Sequence, residues 1–384
     1  MRRVYLDHNA TTRMRDEVRA HLIEKMEELG GNPSSVHHSG RRARAVLDEA
    51  RARTATALGV HEDEVFFTSG GTESVNLALL GTARSSSRPA SLLTSTAEHS
   101  CVLGAADALV AQGAPVHRIG VDRQCRVDPE QVLEIAARTR VGLVSIMAAN
   151  NEVGAVQPLA AIGTGLESQG REKPLLHTDA VQALGRIPVP IHEWKADLAS
   201  FSAHKLGGPL GVGILFKRRG IHLVPQMHGG GQEAGLRPGS ENVPAISAAA
   251  LAIELSVRDR PVEAKGMREL SLCLWHEITD TLPDVELLGP PIDSDERLPN
   301  TLDIVVGGID GRMLVARLDL EGLEASAGSA CASGSLEPSH VLLAMGRSIE
   351  SARSGLRLSL GRETSREDIH TAVEILERAV SALR

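Results

Sequence analysis

The sequence predicts an α/β protein built on a mostly parallel central sheet, with a second domain after it. Three observations point there. Between about residues 60 and 216 short apolar runs alternate with segments of helical spacing, the rhythm of strand, helix, strand crossovers. The residues with the most chemistry follow those apolar runs, where open parallel sheets gather ligands at the carboxyl ends of their strands. Past a long alanine-rich helix that starts near Pro244, the alternation becomes irregular.

Ahead of the series, "GRRARAVLDEARART" has helical spacing with its arginines on one side and reads as a solvated helix face. "DEVFFTS" is a β-branched and aromatic strand, and "ESVNLALLGTAR" the helix after it. "ASLLTST" is the next strand, followed by a helix near 101 to 112; "VGLVSIMAA", "PLLHTDA", "DLASFSA" and "GVGILF" continue as strands. The alanine-rich helix runs beyond Ala264, and the change of domain falls along it. "PNTLDIVVGG" then reads as a strand, "DGRMLVARLDLEG" as a helix, "SAGSACASGSLEPS" as a loop and "SGLRLSLG" as a last strand before a C-terminal helix. No internal repeat is present.

Composition narrows the function. At 384 residues the chain is long enough for two domains of about 150 residues each. With 42% hydrophobic and 23% charged residues it reads as an ordinary soluble protein. Four Phe, two Trp and one Tyr leave the core to aliphatic residues, so a flat partner for a ring ligand has to be a histidine. A net charge of -8, with no Lys/Arg stripe interleaved with aromatics, argues against nucleic acid. Cys101, Cys125, Cys273 and Cys331 show neither CxxC spacing nor a paired framework, so no zinc site and no disulfide scaffold is expected, and the compartment reads as reducing. "MRRVYLDHNATT" lacks an apolar signal region and no apolar run reaches 18 residues, so a cytoplasmic protein without membrane contact is expected.

Four fragments carry chemistry. In "FFTSGGTESVNLALL" a glycine turn opens a helix: Gly70 and Gly71 allow close approach and Thr72 offers a hydroxyl, either as an anion cradle or as an ordinary capped turn. In "STAEHSCV", His99 follows a strand and either leans over a sheet-end pocket or is a satisfied structural group. "LLHTDAVQALG" places Asp179 and Gln182 at a strand end; the aspartate either caps a helix or pairs with a buried cation, and a protonated pyridine nitrogen is such a cation. "SFSAHKLGGPLGVGIL" sets Lys205 between a strand and a glycine turn, as a snorkelling surface lysine or as a Schiff-base lysine. Together a phosphate cradle, a carboxylate, a flat imidazole and a lysine are the parts that pyridoxal phosphate needs.

At this point the chain resembles the cysteine desulfurases, class V aminotransferases of the fold-type I pyridoxal-phosphate group. The likeness runs through "YLDHNATT", "GNPSSVHHSGRRAR", "FTSGGTESVNLAL", "EHSCV", "NNEVGAVQP", "HTDAVQALG", "GGGQEAGLRPGSENV", "SAGSACASGSLEPSHVLLAMG" and "LRLSLGR". By position it makes Lys205 the cofactor lysine, Thr72, Ser202 and His204 phosphate ligands beside Gly71, Asp179 the partner of the pyridine nitrogen, Gln182 the donor to the ring's phenolic oxygen and His99 the stacking residue. Ser240 stands where the family more often has a threonine that reaches the neighbouring subunit's phosphate. The resemblance implies a homodimer, a large cofactor domain over 16–255, and a small domain of 1–15 with 256–384.

The Gly/Ser-rich "ASAGSACASGS" reads as a mobile loop with Cys331 at its centre, where an exposed thiol is a nucleophile rather than a buried inert cysteine. In the family this cysteine attacks the sulfur of bound L-cysteine, leaving an enzyme persulfide and L-alanine. On that model Lys205 moves the Cα proton, Arg357 with Asn151 holds the substrate carboxylate, and His99 is the candidate proton acceptor for Cys331. Arg357 could otherwise be a surface strand charge. The long loop resembles the subgroup of the nitrogen-fixation and iron-sulfur-assembly type, whose partner is a sulfur acceptor such as an iron-sulfur scaffold protein. Two other readings stay open: a class V aminotransferase or selenocysteine lyase, and a non-catalytic sulfur-carrier or scaffold subunit.

Overall fold

The computed structural model describes residues 3–85, 90–170, 173–328 and 337–384. In chain order, strand β1 (Val4–Tyr5) precedes helices α1 (Asp16–Glu28) and α2 (His38–Leu58). The alternating series follows: β2 (Val65–Thr68), α3 (Gly71–Ala83), β3 (Leu92–Ser95), α4 (Ser100–Ala111), β4 (Val116–Ile119), α5 (Pro129–Thr139), β5 (Leu143–Ser145), α6 (Leu159–Ser168), β6 (Leu175–Asp179), β7 (Leu198–Ser202) and β8 (Gly213–Lys217). Helix α7 (Val243–Thr281) then leads to β9 (Val285–Leu287), β10 (Thr301–Val306), α8 (Gly311–Glu321), β11 (Leu323–Glu324), α9 (His340–Ala344), α10 (Ile349–Arg353), β12 (Gly355–Ser359) and α11 (Arg366–Leu383).

The central sheet has seven strands in the order β2-β8-β7-β6-β5-β3-β4. It is parallel from β7 to β4, and β8 alone runs antiparallel to both its neighbours. Strands β2, β3, β6 and β7 are buried along their whole length, because helices cover both faces and leave no side for polar residues. Successive residues take opposite faces: Leu143, Leu175 and Leu198 pack under α3 and α4, while Val144, Leu176 and Ala199 join the core shared with α2, α5, α6 and the start of α7. A separate core holds β10, β12, α8, α11 and the far end of α7 at Leu274 and Ile278, with Val4 and Leu6 from the N-terminus. Residues 4–10 thus run between the C-terminal elements and the central sheet.

The strand series matches the sequence expectation and β4 adds a strand that its mixed "VHRI" concealed. Helix α7 continues through Pro261 to Thr281, since one long rod has to serve both cores. The arginine face of α2 is not wholly solvated. Arg51 forms a bidentate pair with buried Glu233, at 2.9 and 2.6 Å, and lies 5.0 Å from the centre of the Phe67 ring. Among the described residues no helix is long and apolar enough to cross a membrane.

Candidate active site

A cavity of about 220 Å³ opens at the carboxyl ends of β2, β6 and β7. It gathers Gly71, Thr72, His99, Asn151, Asp179, Gln182, Ser202, His204, Lys205 and Arg357, which lie up to 286 positions apart in a chain read from end to end. Ser240 is exposed in the loop before α7 and does not line this cavity. Cys331 lies outside the described residues.

The turn from β2 into α3 is made by close packing. A side chain at Gly71 would meet Val181 at 2.9 Å, and one at Gly213 would strike the Gly70 backbone at 2.3 Å. The N-cap of α3 is Gly70, which has no side chain to cap it, so the ordinary capped turn is not what this segment builds. Uncapped amides and the helix dipole favour an anion beside Thr72.

Asp179 ends β6, and turns rather than a helix follow it. Its Oδ1 accepts from the Val181 N–H at 3.0 Å. Burial pushes its carboxyl above the ordinary range, while His99 and Lys205 draw it back down. A cationic or N–H partner in the cavity would restore the carboxylate.

His99 caps α4: its Nδ1 accepts from the Cys101 N–H at 3.2 Å and lies 3.0 Å from Cys101 Sγ. A nitrogen that accepts a backbone N–H carries no proton of its own, so the neutral ring bears its hydrogen on Nε2. Cys101 also lines the cavity, and burial, with Asp179 and Glu98 adding to it, holds its thiol protonated far above the usual thiol range. Cys101 is therefore a poor nucleophile.

The remaining wall comes from the N-terminal segment. Lys205 sits in a single 3-10 turn after β7, and its Nζ donates to the carbonyls of Asn9, at 2.6 Å, and Ala10. Lys205 does not reach for solvent. Gln182 donates from Nε2 to the Asn9 carbonyl at 3.0 Å, while its Oε1 accepts from Arg186. A guanidinium has only donors, so Arg186 fixes the amide with its NH₂ away from itself. His204 Nδ1 lies 3.1 Å from Thr11 Oγ1, and burial, then the charges of Lys205 and Arg186, lower its pKa to about 4.

Arg357 is not a surface charge. It is 1% exposed on β12, with one arm on Asp7 Oδ1 at 2.6 Å and the other on the Asn151 carbonyl at 3.0 Å. The neighbouring Asn150 folds that turn, accepting from the Glu152 and Val153 N–H groups, which leaves the Asn151 side chain on the cavity wall.

Sequence reading passed over Asn9, Ala10, Met147, Ala149 and Val181 as lining residues, and placed Cys101 beside the ring with its role open. Cys101 had a signal, a polarisable residue two places after His99. Asn9 and Ala10 had none, because they act through main-chain carbonyls.

The class-V aminotransferase model matches residues 4–371. A curated relative, cysteine desulfurase IscS of Dictyoglomus turgidum, is 42% identical over 385 residues, covering 100% of this chain and 96% of its own. The chain belongs to the cysteine desulfurases. A solved NifS-like protein is 36% identical with a TM-score of 0.91 over 99% of this chain and 100% of its own. The structure of SspA in complex with cysteine is 30% identical with a TM-score of 0.79, covering 94% and 100%. As a cysteine desulfurase of class V this protein is a fold-type I enzyme that depends on pyridoxal 5'-phosphate. The cavity fits that group: a buried carboxylate, a helix start whose N-cap is a glycine, an imidazole wall and a lysine amine all face one space.

Proposed function

We propose that the enzyme takes sulfur from L-cysteine, leaves L-alanine, and carries the sulfur as a persulfide on Cys331 to a protein acceptor such as an iron-sulfur scaffold. The observation that carries the reading is the single cavity in which Lys205, Asp179, His99 and Arg357 meet. The cysteine complex of the related SspA supports a cysteine-sized substrate.

In this reading Asp179 holds the pyridine nitrogen, His99 lies against the ring, Gln182 donates to the phenolic oxygen, and Thr72, Ser202 and His204 with the α3 amides at Gly71 hold the phosphate. Pyridoxal phosphate, when bound, supplies an electron sink for the substrate Cα. Arg357 orients the substrate by its carboxylate, with Asn151 assisting; the substrate competes with Asp7 for one guanidinium arm. Lys205 takes the Cα proton at Nζ, and the carbonyls of Asn9 and Ala10 aim that amine. The Cys331 thiolate attacks the substrate Sγ: a sulfur-sulfur bond forms, the Cβ–Sγ bond breaks with its electron pair on carbon, and protonation yields alanine. His99 Nδ1 is engaged by Cys101, so any proton that His99 accepts from Cys331 has to arrive at Nε2 after that position has given up its own.

The same reading assigns residues 16–255 to a cofactor domain and 1–15 with 256–384 to a smaller one, a division supported by the separate core that Val4 and Leu6 share with the C-terminal elements. It includes a cytoplasmic homodimer in which the exposed Ser240 serves the neighbouring subunit's phosphate. The test is a visible spectrum of the purified protein, addition of L-cysteine, and mass mapping of trapped persulfide. Cys331→Ser is expected to keep the cofactor absorbance and abolish sulfur release; sulfur release undiminished in that variant would refute the proposal.

A further inference from the structure

Glu152 does not line the cavity, yet it is wholly buried one residue beyond Asn151. Among the described residues it forms no ion pair, and its Oε1 accepts nothing. An apolar residue would fill such a place at lower cost, since a buried carboxylate with an orphaned oxygen opposes folding. The other oxygen shows why an acid stands here. Oε2 accepts from Ser339 Oγ at 2.6 Å, and a side chain on Gly328 would lie 3.2 Å from the same oxygen and 3.4 Å from Ser339 Cβ. Gly328 and Ser339 flank the stretch that contains Cys331, so one flank is hydrogen-bonded to this carboxylate and the other passes close beside it.

Each flank is also tied to a residue next to, or part of, the cavity wall. Ser326 exchanges two main-chain hydrogen bonds with Arg357, at 3.2 and 2.7 Å. His340 Nε2 lies 2.9 Å from the carbonyl of Glu98, the residue before His99. The Ser339 hydroxyl gives its proton to Glu152 while accepting from the Leu342 N–H at 3.2 Å, so its orientation is set from both sides. Gly328 has φ +74, a conformation that admits no side chain without strain, and a side chain there would crowd the Glu152 carboxylate.

We propose that Glu152 is a positioning residue for sulfur transfer: by holding Ser339 next to Gly328, beside Asn151 and Arg357, it sets where the ends of the Cys331 segment stand relative to the cavity. The proposal rests on Cys331 being the nucleophile. Three variants of the holoenzyme test it, Glu152→Ala, Glu152→Gln and Ser339→Ala, each read by cofactor absorbance with and without L-cysteine, by KM and kcat, and by the rate of persulfide formation on Cys331 in a single turnover. Glu152→Ala and Ser339→Ala are expected to slow persulfide formation and kcat about tenfold or more at unchanged KM, with the cofactor absorbance and its response to L-cysteine retained. Glu152→Gln is expected to recover most of the rate, because its amide oxygen still accepts from Ser339. Persulfide formation within about twofold of the parent in Ser339→Ala, a Glu152→Gln variant as slow as Glu152→Ala, or a loss that follows cofactor content would overturn it. If Glu152→Ala does not fold, Ser339→Ala and Glu152→Gln decide. A parent enzyme that forms no persulfide on Cys331 would instead refute the reading beneath the proposal.

Discussion

Asp179 and Asp303 are both buried aspartates whose carboxyls are pushed upward by loss of solvent, and they stand in opposite situations. Asp179 borders the cavity, accepts the Val181 N–H, and faces His99 and Lys205, both of which favour its ionised form. Asp303 lies on β10 opposite Arg357, fully buried, with neither oxygen hydrogen-bonded among the described residues and with Glu152 as a like-charged neighbour. Its pKa rises to about 8, through burial first and Glu152 second, so at neutral pH it is mostly a neutral acid. A raised carboxyl alone therefore does not mark a functional site. What separates the two is access to a ligand that can complete the charge.

The comparison is sharpest at Asp179. Asp179→Asn is expected to cut turnover about a hundredfold or more and to weaken cofactor loading, because a buried cation left without its partner costs about 3–5 kcal/mol. An absorbance titration with pyridoxal phosphate measures this; loading equal to the parent would place Asp179 in the structural class with Asp303. Arg357 touches the cavity and stands across from Asp303, so it comes next. Arg357→Lys is expected to raise KM for L-cysteine about tenfold with a smaller change in kcat, since an ammonium cannot serve a carboxylate with two parallel donors. Steady-state kinetics checks it, and a fall in kcat alone would move Arg357 from binding to chemistry.

The effect at Asp303 appears in stability rather than in turnover. Its pKa is higher folded than unfolded, so the neutral form favours the fold; that stability is complete below about pH 4 and is lost as pH rises toward about 8. Asp303→Asn removes the titration. Its melting temperature relative to the parent is expected to climb across that window and to level off above it, with little change in cofactor loading. Thermal melts at about pH 5 and about pH 8.5 read the difference. A gap independent of pH would mean that Asp303 stays ionised, balanced by Arg357 and Arg297.

Much of the site was legible in the sequence because each of its main groups follows an apolar strand. Asp179, Lys205, His99 and the Gly70–Gly71 turn occupy strand ends, and a parallel sheet brings strand ends to one edge. Arg357 was legible only through resemblance. Its own segment alternates as a half-exposed strand would, and nothing local says that β12 is covered on both sides. Arg51 misled for the converse reason: it shares a helical face with exposed arginines, and only the loop that carries Glu233 takes it out of solvent.

The order of residues by itself determined the αβ alternation, the positions of the cavity side chains and the family, because these depend on local periodicity and on short motifs. The tertiary structure alone decided that Asn9 and Ala10 hold Lys205 through their carbonyls, that β8 turns antiparallel, and that Ser339 hydrogen-bonds Glu152 beside Gly328. Such contacts join residues far apart in the chain, several of them through main-chain atoms that every amino acid shares, so no side-chain pattern announces them before the chain is packed.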